Sequence, residues 1–352
     1  PWKRRKRRRK RKSPGSNPIA EKRNRRMYPD IPLVVSLAML GLGLWLLTWS
    51  ANRFVDGSAV LSRKFGVSPF IIGMVVIGFG TSAPEMAVSA LSAASGHSNL
   101  SLGNAYGSNI YNIAVILGAV ALIRPIMTHT FTVLTSAVLL VSVSLISGFL
   151  VWHGGGFSRL DAILSLVAFG VLLPISCCLE RKNGGDTQQE AVEIAPVRFP
   201  LLWTLLGLAL LVGSSHLLVW GAVDIARALG ISELMVGLTI VAAGTSLPEL
   251  ASAVVSARKG QNDFVMGNII GSNFFNTLAV VGVSGLVRPF TCEGGYVLSR
   301  DLWMMVALSA SIALFGCSFR RRNSGVIGRV KGVVWILSFL AYFALLLIQE
   351  HG

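Results

Sequence analysis

Two glutamates stand inside apolar stretches, where a carboxylate is costly. Glu85 and Glu249 end the hexapeptides 80–85 (Gly-Thr-Ser-Ala-Pro-Glu) and 244–249 (Gly-Thr-Ser-Leu-Pro-Glu). On membrane-insertion scales a charge at such a position costs about 2.5–3.5 kcal/mol, so its presence indicates a function or a partner. Each glutamate follows a proline, which lacks an N–H and clashes with the carbonyl four residues back. Each motif therefore predicts a broken helix that releases backbone carbonyls beside a carboxylate.

Hydroxyl side chains precede each glutamate. Thr81 and Ser82 lie four and three residues before Glu85, so on a continuous helix their hydroxyls fall on the glutamate's face. Carboxylate, hydroxyl and carbonyl oxygens are the ligands that hard cations such as Ca²⁺ and Na⁺ prefer. The second motif repeats the arrangement with Thr245, Ser246 and Glu249.

A polar stripe follows each motif. Asn104, Ser108 and Asn112 are spaced by four residues, so they share one face of a helix. Such a stripe can bind ions or join helices by hydrogen bonds, and both interpretations stay open. The equivalents in the later segment are Asn268, Ser272 and Asn276. Asn109 and Asn273 lie off the stripe, and we interpret them as structural.

These motifs belong to an internal duplication. Residues 73–126 align with 237–290 at a constant offset of 164, and 20 of the 54 pairs are identical. The matches include Pro, Glu and Asn, which chance similarity between apolar segments does not produce. A single intramembrane glutamate could be a structural hydrogen bonder. Two at duplicated positions favour ligands.

The composition places the chain in a membrane. Of its 352 residues 53% are hydrophobic and 14% charged, too little charge for a soluble surface. Hydropathy predicts ten spans, at 33–62, 68–95, 100–122, 131–152, 159–179, 198–227, 232–257, 264–286, 297–318 and 331–349. We predict an all-α polytopic membrane protein of ten transmembrane helices, arranged as two inverted five-helix repeats, because an odd number of spans inverts the second copy.

The domain boundaries follow from this division. We expect a disordered basic tail over 1–32, a first repeat over 33–179, a cytoplasmic linker over 180–197 and a second repeat over 198–352. With both termini outside, 13 of the 18 Lys and Arg beyond residue 26 fall on the cytoplasmic side, as the positive-inside rule requires.

The net charge of +16 is concentrated in the tail, since residues 1–26 contain 14 of the 32 Lys and Arg. Three interpretations remain for this tail: an anionic-lipid or phosphate tether, a nucleic-acid tail, or sequence upstream of a start at Met27. We expect no nucleic-acid partner. The four cysteines show no metal-ligand spacing, and the sequence contains no nucleophile or nucleotide-binding constellation, so we do not predict an enzyme.

The paired motifs resemble the two alpha-repeats of the calcium/cation antiporter superfamily, and most closely those of prokaryotic sodium/calcium exchangers. The resemblance covers residues 33–349 and rests on Gly-Thr-Ser-x-Pro-Glu and Gly-Asn-x-x-Gly-Ser-Asn-x-x-Asn, each present twice. It implies four ion subsites at the centre of the molecule, with backbone carbonyls near Gly78 and Ala242 and sliding of the first and sixth spans. The implied ligands are Glu85, Glu249, Thr81, Ser82, Thr245, Ser246, Ser108, Asn112, Ser272 and Asn276.

The resemblance also implies an activity. We expect electrogenic Na⁺/Ca²⁺ antiport by alternating access, with Ca²⁺ and Na⁺ as substrates, no cofactor, and a monomer working in a prokaryotic plasma membrane. Potassium-dependent relatives have Asp at the position of Asn276, so we expect independence of K⁺. The alternatives are a proton-coupled antiporter of Ca²⁺ or another divalent cation, a cation channel with the two glutamates as its selectivity ring, and a tether acting through residues 1–26.

Overall fold

The computed structural model describes residues 32–95, 98–183, 197–229, 242–291, 297–317 and 324–351. The helices of the first half are α1 (Leu33–Phe65), α2 (Pro69–Thr81), α3 (Ala83–Ala94), α4 (98–123), α5 (Thr130–His153) and α6 (Arg159–Asn183). Those of the second half are α7 (Pro200–Ala228), α8 (Ala242–Thr245), α9 (Leu247–Arg258), α10 (Asn262–Val287), α11 (297–316) and α12 (Arg329–His351).

Among the described residues, four short strands connect the ends of these helices. They are β1 (Ile126–His129), β2 (Gly156–Phe157), β3 (Phe290–Thr291) and β4 (Ser324–Ile327). Strand β1 pairs antiparallel with β4, and β2 pairs antiparallel with β3. Each pair therefore joins one half of the chain to the other.

The described residues contain eight single helices long and apolar enough to cross a membrane, and the bent pair α2–α3 makes nine spans. These nine correspond to nine of the ten predicted spans. The other prediction, 232–257, falls partly on 230–241, outside the described residues; α8 and α9 are its described portion. The chain is thus a helical membrane protein.

The helices divide into central and peripheral spans. In the most apolar window of α10, 89% of the residues are buried inside the protein, and in that of α4 67%. The corresponding share is 11% in α6, whose remaining surface is the apolar face expected against lipid. The two polar stripes therefore lie on the two most enclosed helices.

Helices α2 and α10 pack with their backbones almost in contact. A Cβ atom built at Gly267 would lie 2.3 Å from the Phe70 carbonyl oxygen, and one at Gly271 2.3 Å from that of Met74. No side chain fits in that space, so glycine alone permits the approach. This contact brings the second polar stripe against α2, whereas a Cβ atom built at Gly103 or Gly107, the equivalent glycines of α4, would have no described atom within 4 Å.

The long helices α1 and α7 also pack through duplicated glycines. A Cβ atom at Gly43 would lie 3.0 Å from Leu218 Cβ, and one at Gly207 would lie 3.1 Å from Phe54 Cβ. The two glycines are 164 residues apart in sequence, as are their two partners. The duplication therefore extends beyond the aligned motifs to the first helix of each half.

Both glutamate motifs interrupt a helix. Ser82 has φ −82° and ψ 2°, and Ser246 has φ −92° and ψ 9°, which are not helical values. The next helix begins one residue later, with Pro84 or Pro248 in its first turn, where the missing N–H is tolerated. Helices α2 and α3 are bent by 43° at this break. The breaks predicted from the prolines are confirmed.

Candidate functional site: two buried carboxylates between the halves

The two glutamates lie fully buried, each in the first turn after a helix break. Each carboxylate accepts a hydrogen bond from a serine of the other half. Ser246 Oγ donates to Glu85 Oε1 over 3.2 Å, and Ser82 Oγ donates to Glu249 Oε1 over 3.3 Å. The reciprocal bonds bring α3 and α9 together at one place, with both carboxylates inside it.

This pairing differs from the arrangement expected from sequence spacing. On a continuous helix the hydroxyl of Ser82 would lie beside Glu85, three residues later. The break occurs at Ser82 itself, so the helical spacing does not hold across it. The serine therefore reaches the glutamate of the opposite half, and Ser246 does the same in the other direction.

Two threonines complete the hydroxyl groups around the carboxylates. Thr81 donates to the Ile77 carbonyl over 2.9 Å, and its hydroxyl lies 3.5 Å from that of Ser272. Thr81 and Ser272 both approach the carboxylate of Glu249. Thr245 makes the equivalent approach to the carboxylate of Glu85.

The serines of the two stripes lie on the central helices α4 and α10. Ser272 Oγ donates to the Gly78 carbonyl over 3.4 Å, which places this predicted backbone oxygen at the same cluster. Ser108, its equivalent on α4, is buried. The structure therefore adds a backbone carbonyl to the oxygens around Glu249.

Two asparagines attach the stripe helices to the broken helices. Asn104 Nδ2 donates to the Glu85 carbonyl over 3.3 Å and to Ser89 Oγ over 2.9 Å. Asn268 Nδ2 donates to the Glu249 carbonyl over 3.2 Å. Both asparagines therefore bond to the backbone of a glutamate and fix its position, and their side chains act between helices.

Asn112 and Asn276 lie where α4 and α10 become π-helical, over Asn112–Leu117 and Phe275–Val280. Both are fully buried. Asn112 Nδ2 donates to Asn273 Oδ1 over 3.0 Å. Short π-helical segments place extra side chains on one side of a helix and are frequent at functional sites. The last predicted ligands therefore lie at a local irregularity of both central helices.

Several buried oxygens at this place accept no hydrogen bond from the described residues. They are Glu85 Oε2, Glu249 Oε2, Asn112 Oδ1, Asn109 Oδ1 and Asn276 Oδ1. A buried carboxylate oxygen without a donor is expensive unless a cation or a proton compensates it. The oxygens occur in both halves and include both glutamates, so the cluster has the chemistry of a hard-cation site.

Nitrogen and sulfur ligands are not gathered in the part of the chain that the structure describes. It contains no group of three or more His, Cys, Asp or Glu side chains arranged to hold a metal ion.

Three residues outside the predicted ligand set also form hydrogen bonds beside these side chains. Asn109 Nδ2 donates to Thr277 Oγ1 over 2.7 Å, and Asn273 Nδ2 donates to the Asn109 carbonyl over 3.3 Å. Asn109 and Asn273 had been set apart because they lie off the four-residue stripe. Their presence in both halves was the available signal, while Thr277 has no counterpart hydroxyl, since Ile113 is its equivalent.

Comparison with known proteins agrees with the geometry. The sodium/calcium exchanger protein family matches residues 35–177 and 199–348. The putative antiporter CaxA of Alkalimonas amylolytica is 40% identical over 320 residues, covering 89% of this chain and 99% of its own length. The sodium/calcium exchanger MaX1 of Methanosarcina acetivorans is 28% identical over 353 residues, covering 89% and 99%.

Among solved structures, the sodium-calcium exchanger NCX_Mj superposes with a TM-score of 0.75 at 30% identity, over 89% of this chain and 99% of that one. Both halves of the chain match the family, and the matched segments include both glutamate motifs. The chain belongs to the sodium/calcium exchanger family of membrane proteins.

Proposed function

We propose that this protein is a secondary active antiporter that exchanges Na⁺ for Ca²⁺ across the membrane by alternating access. The observation that carries the proposal is the pair of buried carboxylates, each with one oxygen that accepts no hydrogen bond from the described residues. Two carboxylates neutralise one Ca²⁺ or two Na⁺, so the two ions compete for overlapping oxygens. Family membership and the named exchangers among the relatives support the same substrates.

The proposed ligands are the ten predicted residues: Glu85, Glu249, Thr81, Ser82, Thr245, Ser246, Ser108, Asn112, Ser272 and Asn276. The contacts of the two glutamates, the buried positions of Asn112 and Asn276, and the bond from Ser272 to the Gly78 carbonyl support this set. The transported ions are substrates, and the mechanism requires no cofactor.

Alternating access follows from the charge of the site. Without a cation, two uncompensated carboxylates would have to be enclosed in a medium of low dielectric, which resists closure. With Ca²⁺ or Na⁺ bound the charge is compensated and the protein can change from outward to inward access. We assign the movement to α1 and α7, whose glycine contacts make them a packed pair.

The architecture completes the proposal. Ten helices in two inverted repeats, separated by the cytoplasmic linker, place both termini outside the membrane, and the protein works as a monomer in a prokaryotic plasma membrane. The aligned motifs, the equivalent glycine contacts and the strand pairs between the halves support the inverted repeat.

Charge counting also bears on the exchange ratio. If three Na⁺ exchange for one Ca²⁺, the ratio that the family resemblance implies, one positive charge moves in each cycle. Asn276 leaves the site with two carboxylates and lacks the additional carboxylate that accompanies K⁺ in potassium-dependent relatives. We therefore propose electrogenic exchange that is independent of K⁺.

Radiolabelled Ca²⁺ uptake into proteoliposomes tests the proposal. The protein is reconstituted with internal Na⁺, and uptake is measured with and without an outward Na⁺ gradient. We expect uptake to require internal Na⁺ and to be abolished in Glu249→Gln. Uptake indifferent to Na⁺ but driven by a pH gradient would transfer the function to proton-coupled Ca²⁺ antiport at the same site. Flux without any counter-ion would indicate a channel.

A further inference from the structure

The two central asparagines, Asn112 and Asn276, occupy equivalent positions in the duplication but have different surroundings. Asn112 Nδ2 donates a hydrogen bond to Asn273 Oδ1 over 3.0 Å. Both amide atoms of Asn276 are buried without a hydrogen-bond partner among the described residues. A duplicated site would be expected to treat the two residues alike, so something breaks the equivalence.

The orientation of the Asn112 amide is determined by a chain of bonds that begins at a backbone carbonyl. The Asn109 carbonyl can only accept, and Asn273 Nδ2 donates to it over 3.3 Å. The side-chain oxygen of Asn273 then faces Asn112, and Asn112 Nδ2 donates to it. A reversed Asn112 amide would place two oxygens against each other. Its own oxygen is consequently turned away from Asn273.

In the other half, bonds to Thr277 stand in place of the equivalent chain. Its hydroxyl donates to the Asn273 carbonyl over 2.7 Å, which is the oxygen that would have received Asn109 Nδ2 in a symmetric arrangement. Asn109 Nδ2 donates instead to Thr277 Oγ1 over 2.7 Å and to Met305 Sδ over 3.1 Å. The equivalent of Thr277 is Ile113, which has no hydroxyl and leaves the first chain undisturbed.

We infer that Asn273 is a positioning residue that holds the Asn112 oxygen toward the bound cation, while Thr277 leaves the amide of Asn276 free to turn. The inference rests on the proposed function and deepens it. The site then has one asparagine oxygen oriented before binding and one amide that the bound ions orient. A preoriented ligand avoids the free-energy cost of ordering on binding, so Asn112 contributes more to affinity than its equivalent.

Ca²⁺ titration of the purified full-length protein by isothermal calorimetry tests the role of Asn273. Asn273→Ala is expected to weaken Ca²⁺ binding about three- to tenfold, the effect of one lost net hydrogen bond. Asn112→Ala should weaken it comparably. If Asn273 acts through Asn112, adding Asn273→Ala to Asn112→Ala changes the Kd by less than about twofold, because the pair is coupled.

Two outcomes of this cycle would overturn the inference. One is an unchanged Kd in Asn273→Ala. The other is a double variant whose loss equals the product of the two single losses, as a merely structural role predicts. Calorimetry does not depend on the counter-ion, so a proton-coupled exchanger would leave this test intact. A wild-type protein that binds no Ca²⁺ would overturn the inference together with the proposed function.

A matched pair at position 277 tests the other half. Thr277→Val keeps the shape and removes the hydroxyl, so Asn109 Nδ2 can bond to the Asn273 carbonyl and Asn109 Oδ1 can accept from Asn276. This fixes the second asparagine oxygen, and the Ca²⁺ Kd is expected to fall about three- to tenfold. Thr277→Ser keeps the hydroxyl and should leave the Kd within about twofold. A Kd that rises or stays unchanged in Thr277→Val contradicts the inference.

Discussion

At the scale of single residues, the site depends on hydroxyls that reach between the halves of the protein. The buried carboxylates of Glu85 and Glu249 each accept a hydrogen bond from a serine of the other half. A hydroxyl bond to a charged group contributes about 1.5–3 kcal/mol, which does not balance the burial of a full charge. Under the proposed function, the transported ions compensate both charges.

Removing either charge should stop transport without unfolding the protein. In Glu85→Gln and Glu249→Gln the amide fills the same space but removes one of the two negative charges that balance Ca²⁺. Exchange is therefore expected to be abolished. The measurement is Na⁺-dependent Ca²⁺ uptake, with gel filtration in detergent to monitor folding. Glu180→Gln is the matched control, because this buried glutamate accepts a hydrogen bond from Thr132. The control variant is expected to exchange Ca²⁺ at a near-normal rate. Near-normal exchange in either site variant would refute the assignment.

Removing the hydroxyl of Ser82 or that of Ser246 should weaken ion binding to the same extent. We expect Ser82→Ala and Ser246→Ala each to raise the KM for Ca²⁺ about tenfold, in line with the loss of a bond to a charged group. The KM is obtained from uptake at varied Ca²⁺. Ser144→Ala removes a buried hydroxyl that bonds within α5 and serves as the control, with a KM within about twofold. A KM that rises in only one of the two serine variants would show that the two serines do not contribute equally to Ca²⁺ binding.

The site was largely predictable from sequence at this scale, and its bonding partners were not. Glu85 and Glu249 could be identified because a carboxylate after a proline in an apolar span is rare and was present twice. That Ser82 serves the opposite glutamate depends on the backbone angles at the break, which helical spacing does not encode. The bond between Asn273 and Asn112 was not predicted, because Asn273 lies off the four-residue stripe and its partner is in the other half.

At the scale of helices, the site depends on how closely α2 approaches α10. Gly267 and Gly271 leave only backbone between the two helices, and Ser272, the next residue, bonds to the Gly78 carbonyl. The same closeness brings Thr81 beside Ser272. Widening the contact would therefore separate two hydroxyls that we propose as ligands of the same site.

A methyl group at this contact should reduce both stability and affinity. A Cβ at Gly271 would lie 2.3 Å from the Met74 carbonyl oxygen, so Gly271→Ala must push the helices apart. Overpacking of this kind costs about 1–3 kcal/mol. We expect a lower temperature of thermal unfolding in detergent and a higher KM for Ca²⁺. Gly41→Ala is the control, because no described atom lies within 4 Å of a Cβ built there; equal behaviour of the two variants would exclude a packing role for Gly271.

The helices themselves were predictable from hydropathy, whereas their contacts were only partly so. Nine described spans lie where apolar runs of sufficient length predicted them, and the proline breaks were found. The close approach of α2 to α10 at Gly267 and Gly271 was not predicted. Partner choice depends on complementary shape across the molecule, which no local pattern records.

At the scale of the whole molecule, the net movement of charge should respond to the membrane potential. If three Na⁺ leave the vesicle for each Ca²⁺ that enters, one positive charge leaves in each cycle. An inside-positive potential should then accelerate Ca²⁺ uptake, and an inside-negative one should slow it. Initial uptake rates under potentials imposed with ionophores provide the measurement. Rates unaffected by potential would indicate a neutral exchange of two Na⁺ for each Ca²⁺.

The reciprocal serine bonds also have a consequence for biogenesis. The chain is synthesised from its N-terminus, so Glu85 is inserted 161 residues before Ser246, whose hydroxyl donates to its carboxylate. Until α9 is in place, neither carboxylate has its full set of neighbours, and the first half alone cannot assemble a cation site. A cation site built from both glutamates would therefore require that both halves have been inserted. A chain that ends after the first half would leave the buried carboxylate of Glu85 without the hydroxyl of Ser246.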